Sequence, residues 1–152
     1  MSDWINLPLE DDMPNWFGFV YIIERTVEDP ANPRKYYIGC KQLHSKTKRP
    51  PLKSTGLKRK RTIVKKSDYE TYYGSSEELK KEVEKYGKEN FKRTVLALTT
   101  CKWEHKYLEL LYQIKYNVIA DEAAWNGILN LRIGKCPKAL KEKYLTTTIF
   151  TI

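Results

Sequence analysis

The 152-residue chain contains 41% hydrophobic and 31% charged residues, a balance that excludes disorder along its whole length and is typical of a single globular domain. It has no apolar run approaching the roughly 18 residues of a membrane span, and its acidic start is unlike a signal peptide, so we expect a cytoplasmic protein. The formal net charge of +9 favours a polyanionic partner.

Residues 1–16 predict an irregular N-terminal arm, because Pro8 and Pro14 interrupt a stretch of mixed charge. From Gly18 the run GFVYIIER is rich in β-branched and aromatic residues and predicts a strand. The turn-prone segment EDPANPRK and a second β-rich run, KYYIGC, follow it and complete a predicted hairpin. Tyr36 and Tyr37 are then expected on opposite faces of the second strand.

The segment 41–66 contains eleven Lys or Arg residues and no acidic residue. Because it also contains Pro50, Pro51 and Gly56 and lacks clean periodicity, it predicts a long basic loop, ordered on binding nucleic acid. Such a charge block gains most beside phosphates, whose condensed counterions it releases. A solvated loop without a partner is the alternative.

Two helices and a third strand follow the basic segment. Ser75 with Glu78 forms a capping box, Leu79, Val83 and Tyr86 recur at helical spacing, and Gly87 predicts the helix end. FKRTVLAL then predicts a strand. Residues 102–117 predict a second helix whose apolar stripe is made of Trp103, Tyr107, Leu110, Leu111 and Ile114.

The predicted order is therefore β-β-α-β-α, an α+β domain over residues 17–134. A tail over 135–152 ends in TTTIFTI, a β-prone run consistent with an edge strand, a dimer contact or a frayed end.

The three cysteines lack a CxxC motif, which indicates reduced thiols. Two of them, in Cys40-x3-His44 and Cys101-x3-His105, offer the ligand types of a structural zinc site, but neither spacing matches the usual half-sites. A zinc-stabilised interaction protein is therefore a minor alternative to buried, small cysteine side chains.

The paired segments Phe19-Val20-Tyr21 and Tyr37-Ile38-Gly39 resemble the two motifs that name the GIY-YIG nucleases, with two positions of the first motif changed. The later segments SDYETYYGSS, KYGKENFKRTVL and Trp125-Asn126-Gly127 follow in the order of a bacteriophage-type subgroup, so the resemblance covers about Gly18 to Ile133. It implies a small three-stranded antiparallel sheet flanked by helices, and metal-dependent hydrolysis of DNA with Mg²⁺ or Mn²⁺, in a homing or restriction-like enzyme.

The resemblance also implies which residues act. Tyr21 and Tyr37 match the motif tyrosines, of which one helps deprotonate the attacking water. Because a free phenol with a pKa near 10 is a poor base, a neighbouring cation is needed, and Lys41 is the candidate. The alternative for the pair is aromatic packing across the hairpin.

Glu109 matches the family's metal-binding glutamate. In a helix that is apolar nearly all round, an unpaired carboxylate would be costly, which favours a metal or a hydrogen-bonded partner. Glu104, or a purely structural salt bridge, is the alternative.

Asn126 matches the family asparagine that arranges the metal site or phosphate, although Asn-Gly is also an ordinary turn signal. Asn130 is the alternative if the register is shifted.

Arg61 is the first candidate for the arginine on the scissile phosphate, since it is nearest in sequence to SDYETYYGSS. Arg59 is the second, and general backbone contact is the alternative role.

Tyr73 and Ser75 are phosphate-contact candidates at a helix N-terminus, where Ser75 could equally be only a cap. The full predicted DNA surface is Lys41, Lys58, Arg59, Lys60, Arg61, Lys65, Lys66, Tyr73 and Ser75.

No separate sequence-reading domain of the usual size fits after residue 134, so DNA recognition is left to the basic loop, the arm, the tail or a homodimer. The rival function is a non-catalytic nucleic-acid-binding module on the same fold.

Overall fold

The computed structural model describes residues 3–129 and 132–145. The strands are β1 (Trp4–Ile5), β2 (Gly18–Arg25), β3 (Tyr36–Gln42), β4 (His44–Arg49), β5 (Arg61–Lys66) and β6 (Phe91–Thr99). The α-helices are α1 (Glu77–Tyr86), α2 (Lys102–Lys115) and α3 (Lys141–Leu145). Short 3-10 turns cover Met13–Asn15, Lys53–Thr55, Tyr69–Thr71, Lys88–Asn90 and Lys138–Leu140. None of the helices in these ranges is long and apolar enough to cross a membrane.

The main sheet has the strand order β1-β6-β2-β3. Its three long strands are antiparallel, as predicted, and the two-residue β1 adds a parallel pairing to β6. The α+β class and the β-β-α-β-α order of the central elements are confirmed. The N-terminal arm is anchored at Trp4, whose buried side chain packs in the core and whose indole Nε1 donates to the Tyr69 carbonyl at 2.7 Å.

Alternating residues of β2 build two hydrophobic cores, one on each face of the sheet. Phe19, Tyr21 and Ile23 pack in the core on the α1 side, with Leu79 and Val83 of α1. The opposite face presents Val20 and Ile22 to a core that α2 covers with Leu108 and Tyr112. Tyr37 packs against the first core and Tyr36 against the second, as the alternation of a strand requires.

Helix α1 begins one residue later than the capping box predicted. Ser76 is the N-cap, and its hydroxyl accepts a hydrogen bond from the Leu79 amide at 3.3 Å. Gly87 ends the helix as predicted, with a φ of 89° that favours glycine. Ser75 is thereby left free of the cap and contacts β3 instead.

The predicted apolar stripe of α2 is not the face that packs on the sheet. The helix buries Glu104, His105 and Gln113, while Ile114 of the stripe is exposed. Trp103 and Tyr107 stack at 4.6 Å between ring centroids and contact Tyr144 of α3. The apolar stripe predicted the wrong face of α2 because the face that packs on the sheet also buries polar side chains.

The basic segment is a correction, since His44–Arg49 and Arg61–Lys66 within it form an antiparallel two-stranded ribbon, β4–β5, where a continuous loop was predicted. The periodicity was invisible because almost every residue of both strands is exposed, so no apolar residues alternate with polar ones. The run TTTIFTI lies outside the described residues.

Candidate active site

The open edge of β3 forms one wall of a cavity of about 310 Å³. Helix α2 supplies a second wall, and the start of α1 and the segment after Ala124 supply the rest. The lining residues are Tyr37, Ser76, Lys106, Glu109, Gln113, Trp125, Asn126, Gly127 and Ile128. The cavity therefore brings together three predicted site residues, namely Tyr37, Glu109 and Asn126.

The two motif tyrosines lie next to each other beneath this cavity, with ring centroids 6.2 Å apart. Tyr21 of β2 faces Gly39 of β3, and a Cβ atom added to Gly39 would lie 2.6 Å from the Tyr21 hydroxyl and 2.9 Å from the Tyr37 ring. Gly39 is thus the position that lets both rings pack. The absence of a side chain at Gly39 leaves the space that the two tyrosine rings occupy. Neither ring could move away from a larger residue without disturbing the core.

The two tyrosines differ in their access to the cavity. Tyr21 is fully buried among aromatic rings, and its hydroxyl has no hydrogen-bond partner within the described part of the chain. Burial, reinforced by the nearby Tyr72 and Tyr37 hydroxyls, raises the pKa of Tyr21 well above its ordinary value. Tyr37 lines the cavity, and its hydroxyl is 2.9 Å from that of Ser75.

The pKa of Tyr37 is also raised, mainly by burial and opposed by the hydrogen bond with Ser75. The predicted helper cation, Lys41, does not line this cavity. Its ammonium is 2.6 Å from the Asp68 carboxylate and 3.9 Å from the centre of the Tyr72 ring. Tyr37 and Lys41 lie on the same face of β3, but four residues of extended strand separate them by about 13 Å. Lys41 is therefore too far along the strand to be a neighbour of the Tyr37 hydroxyl.

Lys106 is the cation that the sequence interpretation missed. It lines the cavity, and its Nζ is 3.4 Å from Glu109 Oε2 and 3.8 Å from Cys40 Sγ. Burial alone would lower its pKa, but the interactions with Cys40 and Glu109 outweigh burial, and the net direction is upward. The available signal was its position three residues before Glu109, which places both on one helix face.

Glu109 and Glu104 have different environments, although both belong to α2. The Glu109 side chain is 16% exposed and opens onto the cavity beside Lys106. The Glu104 side chain is fully buried and accepts hydrogen bonds from the Thr100 amide at 2.8 Å and from Lys143 at 2.9 Å. Burial alone would raise the pKa of Glu104, yet these bonds and one from Tyr144 lower it, so Glu104 is a structural anion.

Asn126 closes the open edge of β3. Its side-chain oxygen accepts from the Ile38 amide at 3.0 Å, and its amide nitrogen donates to the Ile38 carbonyl at 2.7 Å. Gln113 of α2 donates to the same carbonyl at 3.2 Å. Both polar ends of Asn126 are thus engaged by the strand beside the cavity, and the fallback residue Asn130 lies outside the described ranges.

The predicted arginines are not brought to this cavity. Arg61 begins β5 opposite Arg49 at the outer end of the ribbon and donates to the Pro50 carbonyl at 3.2 Å. Arg59, with Lys58 and Lys60, is exposed in the connection between the two ribbon strands. Closeness in sequence to the helix start was misleading, because an extended strand carries Arg61 about 17 Å from Lys66.

The remaining predicted DNA contacts are spread over separate surfaces. Lys66 and Lys41 line a second cavity of about 420 Å³, which Lys106 also lines. Lys65 is exposed on the ribbon. Tyr73 lies elsewhere, under the guanidinium of Arg93 at 4.2 Å from its ring centre, and Ser75 contacts Tyr37.

The donor set of the first cavity fits a single hard cation. Within residues 3–129 and 132–145, no three His, Cys, Asp or Glu side chains are grouped to hold a metal ion, which gives the zinc alternative no support. Glu109 is the one acidic side chain among the residues lining the first cavity. One carboxylate is enough for Mg²⁺, which commonly keeps several waters and shares substrate phosphate oxygens.

Comparison with known proteins identifies a family. The family model described as "Putative endonuclease segE, GIY-YIG domain" matches residues 4–131. It begins at Trp4, earlier than the motif resemblance from Gly18, in agreement with the packing of Trp4 in the core. No curated protein and no solved structure shows a significant match to the chain.

Proposed function

Because the chain belongs to the segE family of GIY-YIG endonuclease domains, we propose that it is a divalent-metal-dependent endonuclease that hydrolyses DNA phosphodiester bonds. The observation that carries the proposal is the single cavity onto which Tyr37, Lys106 and Glu109 open. A hydroxyl, an ammonium and a carboxylate are groups that can orient water, neutralise phosphate charge and hold a cation.

In this proposal Glu109 holds the metal ion, Mg²⁺ or Mn²⁺. When bound, the ion supplies positive charge to the phosphate oxygens and lowers the pKa of water in its shell. The partial burial of Glu109 supports the assignment, since a carboxylate in a half-enclosed site gains more from a cation than an exposed one. Glu104 is excluded from this role because its oxygens already accept hydrogen bonds from Thr100, Lys143 and Tyr144.

Tyr37 is the motif tyrosine that we assign to the attacking water. Its hydroxyl opens onto the cavity, whereas Tyr21 is buried beneath it and supports its ring. Because burial raises the pKa of Tyr37, the phenol keeps its proton near neutral pH and hydrogen-bonds the water or a phosphate oxygen. It can accept the water proton only when nearby positive charge lowers that pKa.

Lys106 is the protein cation that we assign to the phosphate. Its position between the two cavities puts its ammonium beside any strand that crosses from one to the other. During hydrolysis the water oxygen bonds to phosphorus, the bond to the leaving sugar oxygen breaks, and that oxygen gains a proton. Negative charge builds on the phosphate in this step, and Lys106 would stabilise it.

The decisive experiment is incubation of supercoiled plasmid with Mg²⁺ and either the wild type, Glu109→Gln or Glu122→Gln. Glu122 is exposed and lines neither cavity, so its variant is the matched control. We expect the wild type and the control to nick or cut the plasmid, and Glu109→Gln or added chelator to abolish cleavage. Full activity of Glu109→Gln would reject the metal assignment, and salt-dependent binding without cleavage under any divalent ion would favour the non-catalytic module.

We further propose that the enzyme is phage-encoded and acts in the cytoplasm of the host, in a homing or restriction-like role. The phage-type family supports this proposal. Digestion of phage and host genomic DNA separates the two roles, since a homing enzyme would give one or a few cuts and a restriction-like enzyme many. Activity confined to RNA would reject both.

A further inference from the structure

The β4–β5 ribbon is built in a way that its own packing does not explain. Of its two strands, only His44 and Ile63 are even partly buried, and both faces of the ribbon lie open. A two-stranded ribbon without a covered face is marginally stable in water. Twelve residues therefore project from the domain without contributing a core.

The charges of the ribbon oppose its formation. Arg49 lies directly across from Arg61 in the strand register, and like charges in directly opposed positions destabilise a strand pair. Scattered lysines would suffice to keep exposed edges from pairing with other chains. Acceptors of negative character lying against the two facing arginines would offset their repulsion, which points to an anionic partner.

The two faces of the ribbon differ in chemistry, because paired residues of antiparallel strands share a face. One face presents Ser45, Thr47, Arg49, Arg61, Ile63 and Lys65. The other presents His44, Lys46, Lys48, Thr62, Val64 and Lys66. The first face is distinguished by both ribbon arginines, each of which can bond guanine by two hydrogen bonds.

The position of the ribbon connects it to the candidate active site. His44 and Lys66, at the base of the ribbon, line the second cavity, and Lys106 lines both that cavity and the one with Glu109. From Lys66 the strand extends about 17 Å to Arg61. At about 3.4 Å per base pair this length spans about five base pairs of duplex.

We propose that the β4–β5 ribbon enters the major groove of duplex DNA with the Arg49 and Arg61 face toward the base edges. The major groove, about 12 Å wide, admits a two-stranded ribbon. The ribbon then gives sequence selectivity within about five base pairs of the cleaved bond. This inference rests on the proposed function, because DNA is taken as the substrate.

The test is selection of binding sequences from a pool of short duplexes with a randomised central segment, in the presence of chelator so that nothing is cleaved. The wild type is compared with the double variant Arg49→Lys/Arg61→Lys, which keeps the charge and removes the guanidinium fork. The matched control is Lys46→Arg/Lys48→Arg, a charge-preserving exchange on the other face. Circular dichroism checks that all three proteins are folded, and plasmid cleavage with Mg²⁺ is measured in parallel.

We expect the wild type and the control to select the same bases, with a preference of about tenfold or more at guanine positions. The Arg-to-Lys variant is expected to lose that preference while its affinity for unselected DNA and its salt dependence stay unchanged. Replacement of guanine by 7-deazaguanine, which lacks the major-groove N7 acceptor, should have the same effect as the variant.

Three results would overturn the inference: no preference in the wild type, an unchanged preference in the Arg-to-Lys variant, or equal binding to an RNA duplex, whose major groove is too narrow for a ribbon. The proposed function fails separately. Selective binding without cleavage would reject the endonuclease function and support the ribbon assignment. Cleavage with an unchanged base preference in the Arg-to-Lys variant would support the endonuclease function and reject the ribbon assignment.

Discussion

The hydroxyl of Tyr37 is hydrogen-bonded to that of Ser75 at 2.9 Å, which ties β3 to the residue just before the N-cap of α1. The bond holds the Tyr37 hydroxyl at the place where β3 borders the cavity. Tyr21, the other motif tyrosine, has no comparable partner within the described residues. The two tyrosines should therefore respond differently to loss of the hydroxyl.

Tyr37→Phe is expected to lower the rate of plasmid cleavage by about 100-fold, the loss typical of one positioned catalytic hydrogen bond. Tyr21→Phe should keep most of the activity and leave the melting temperature unchanged or slightly higher, because it removes a buried hydroxyl without a partner. Cleavage assays and thermal melts of the two variants check this. Equal loss of activity in both would mean that Tyr21 also takes part in the reaction.

Gly39→Ala is expected to destabilise the fold by about 1–3 kcal/mol, the usual cost of overpacking a core. The new methyl group would meet the Tyr21 hydroxyl at 2.6 Å and the Tyr37 ring at 2.9 Å. Urea unfolding of Gly39→Ala alone and combined with Tyr21→Phe measures the coupling between the two sites. Partial rescue in the double variant is the expected result, and strict additivity would contradict the contact.

Lys106→Ala is expected to reduce kcat/KM for DNA cleavage by about 10- to 100-fold, because it removes the cation beside the phosphate. Lys115→Ala provides the matched control, since Lys115 is exposed at the end of the same helix and lines neither cavity. Initial cleavage rates at several DNA concentrations separate the effect on kcat from that on KM. An equally small effect of both substitutions would reject the proposed role of Lys106 in cleavage.

Asn126→Ala is expected to cost about 1–3 kcal/mol of stability, because it leaves the Ile38 amide of a strand edge without its hydrogen-bond partner. The Ile38 carbonyl keeps its bond from Gln113. Asn126→Asp should also destabilise the fold, since a carboxylate cannot donate to that carbonyl. Urea unfolding measures both variants, and wild-type stability with lost cleavage would instead indicate a purely catalytic role.

The stability of the fold is expected to fall as the pH drops below about 6.5, because of His105. Burial, followed by the nearby charge of Lys106, lowers the pKa of His105 to about 4 in the folded chain. The unfolded chain therefore binds the proton first, and stability present above the ordinary pKa of about 6.5 is lost as the pH falls toward 4.

Urea unfolding at pH 7 and pH 5 should differ by about 2 kcal/mol from this residue. His105→Gln, which can still hydrogen-bond Thr99, should reduce the difference. An unchanged pH dependence in the variant would show that other groups control it.

Much of the fold was predictable from local pattern. The β2–β3 hairpin, helix α1 and the central order β-β-α-β-α follow from alternation, capping and helical spacing, which depend on neighbouring residues. The prediction of Glu109 as a site residue came from resemblance to a family. The ribbon was not predictable in this way, because strands with two exposed faces show no hydrophobic alternation.

The sequence by itself determined the chemistry that is present: two motif tyrosines, a glycine between rings, a glutamate in an apolar helix and a basic segment without acids. Only the tertiary structure decided which of these groups meet. It placed Lys41 beside Asp68, brought Lys106 and Glu109 of α2 to the cavity that Tyr37 of β3 lines, and left Tyr21 buried. The physical reason is that side-chain neighbours across a sheet edge and a helix are set by register and packing between distant segments, which local spacing does not encode.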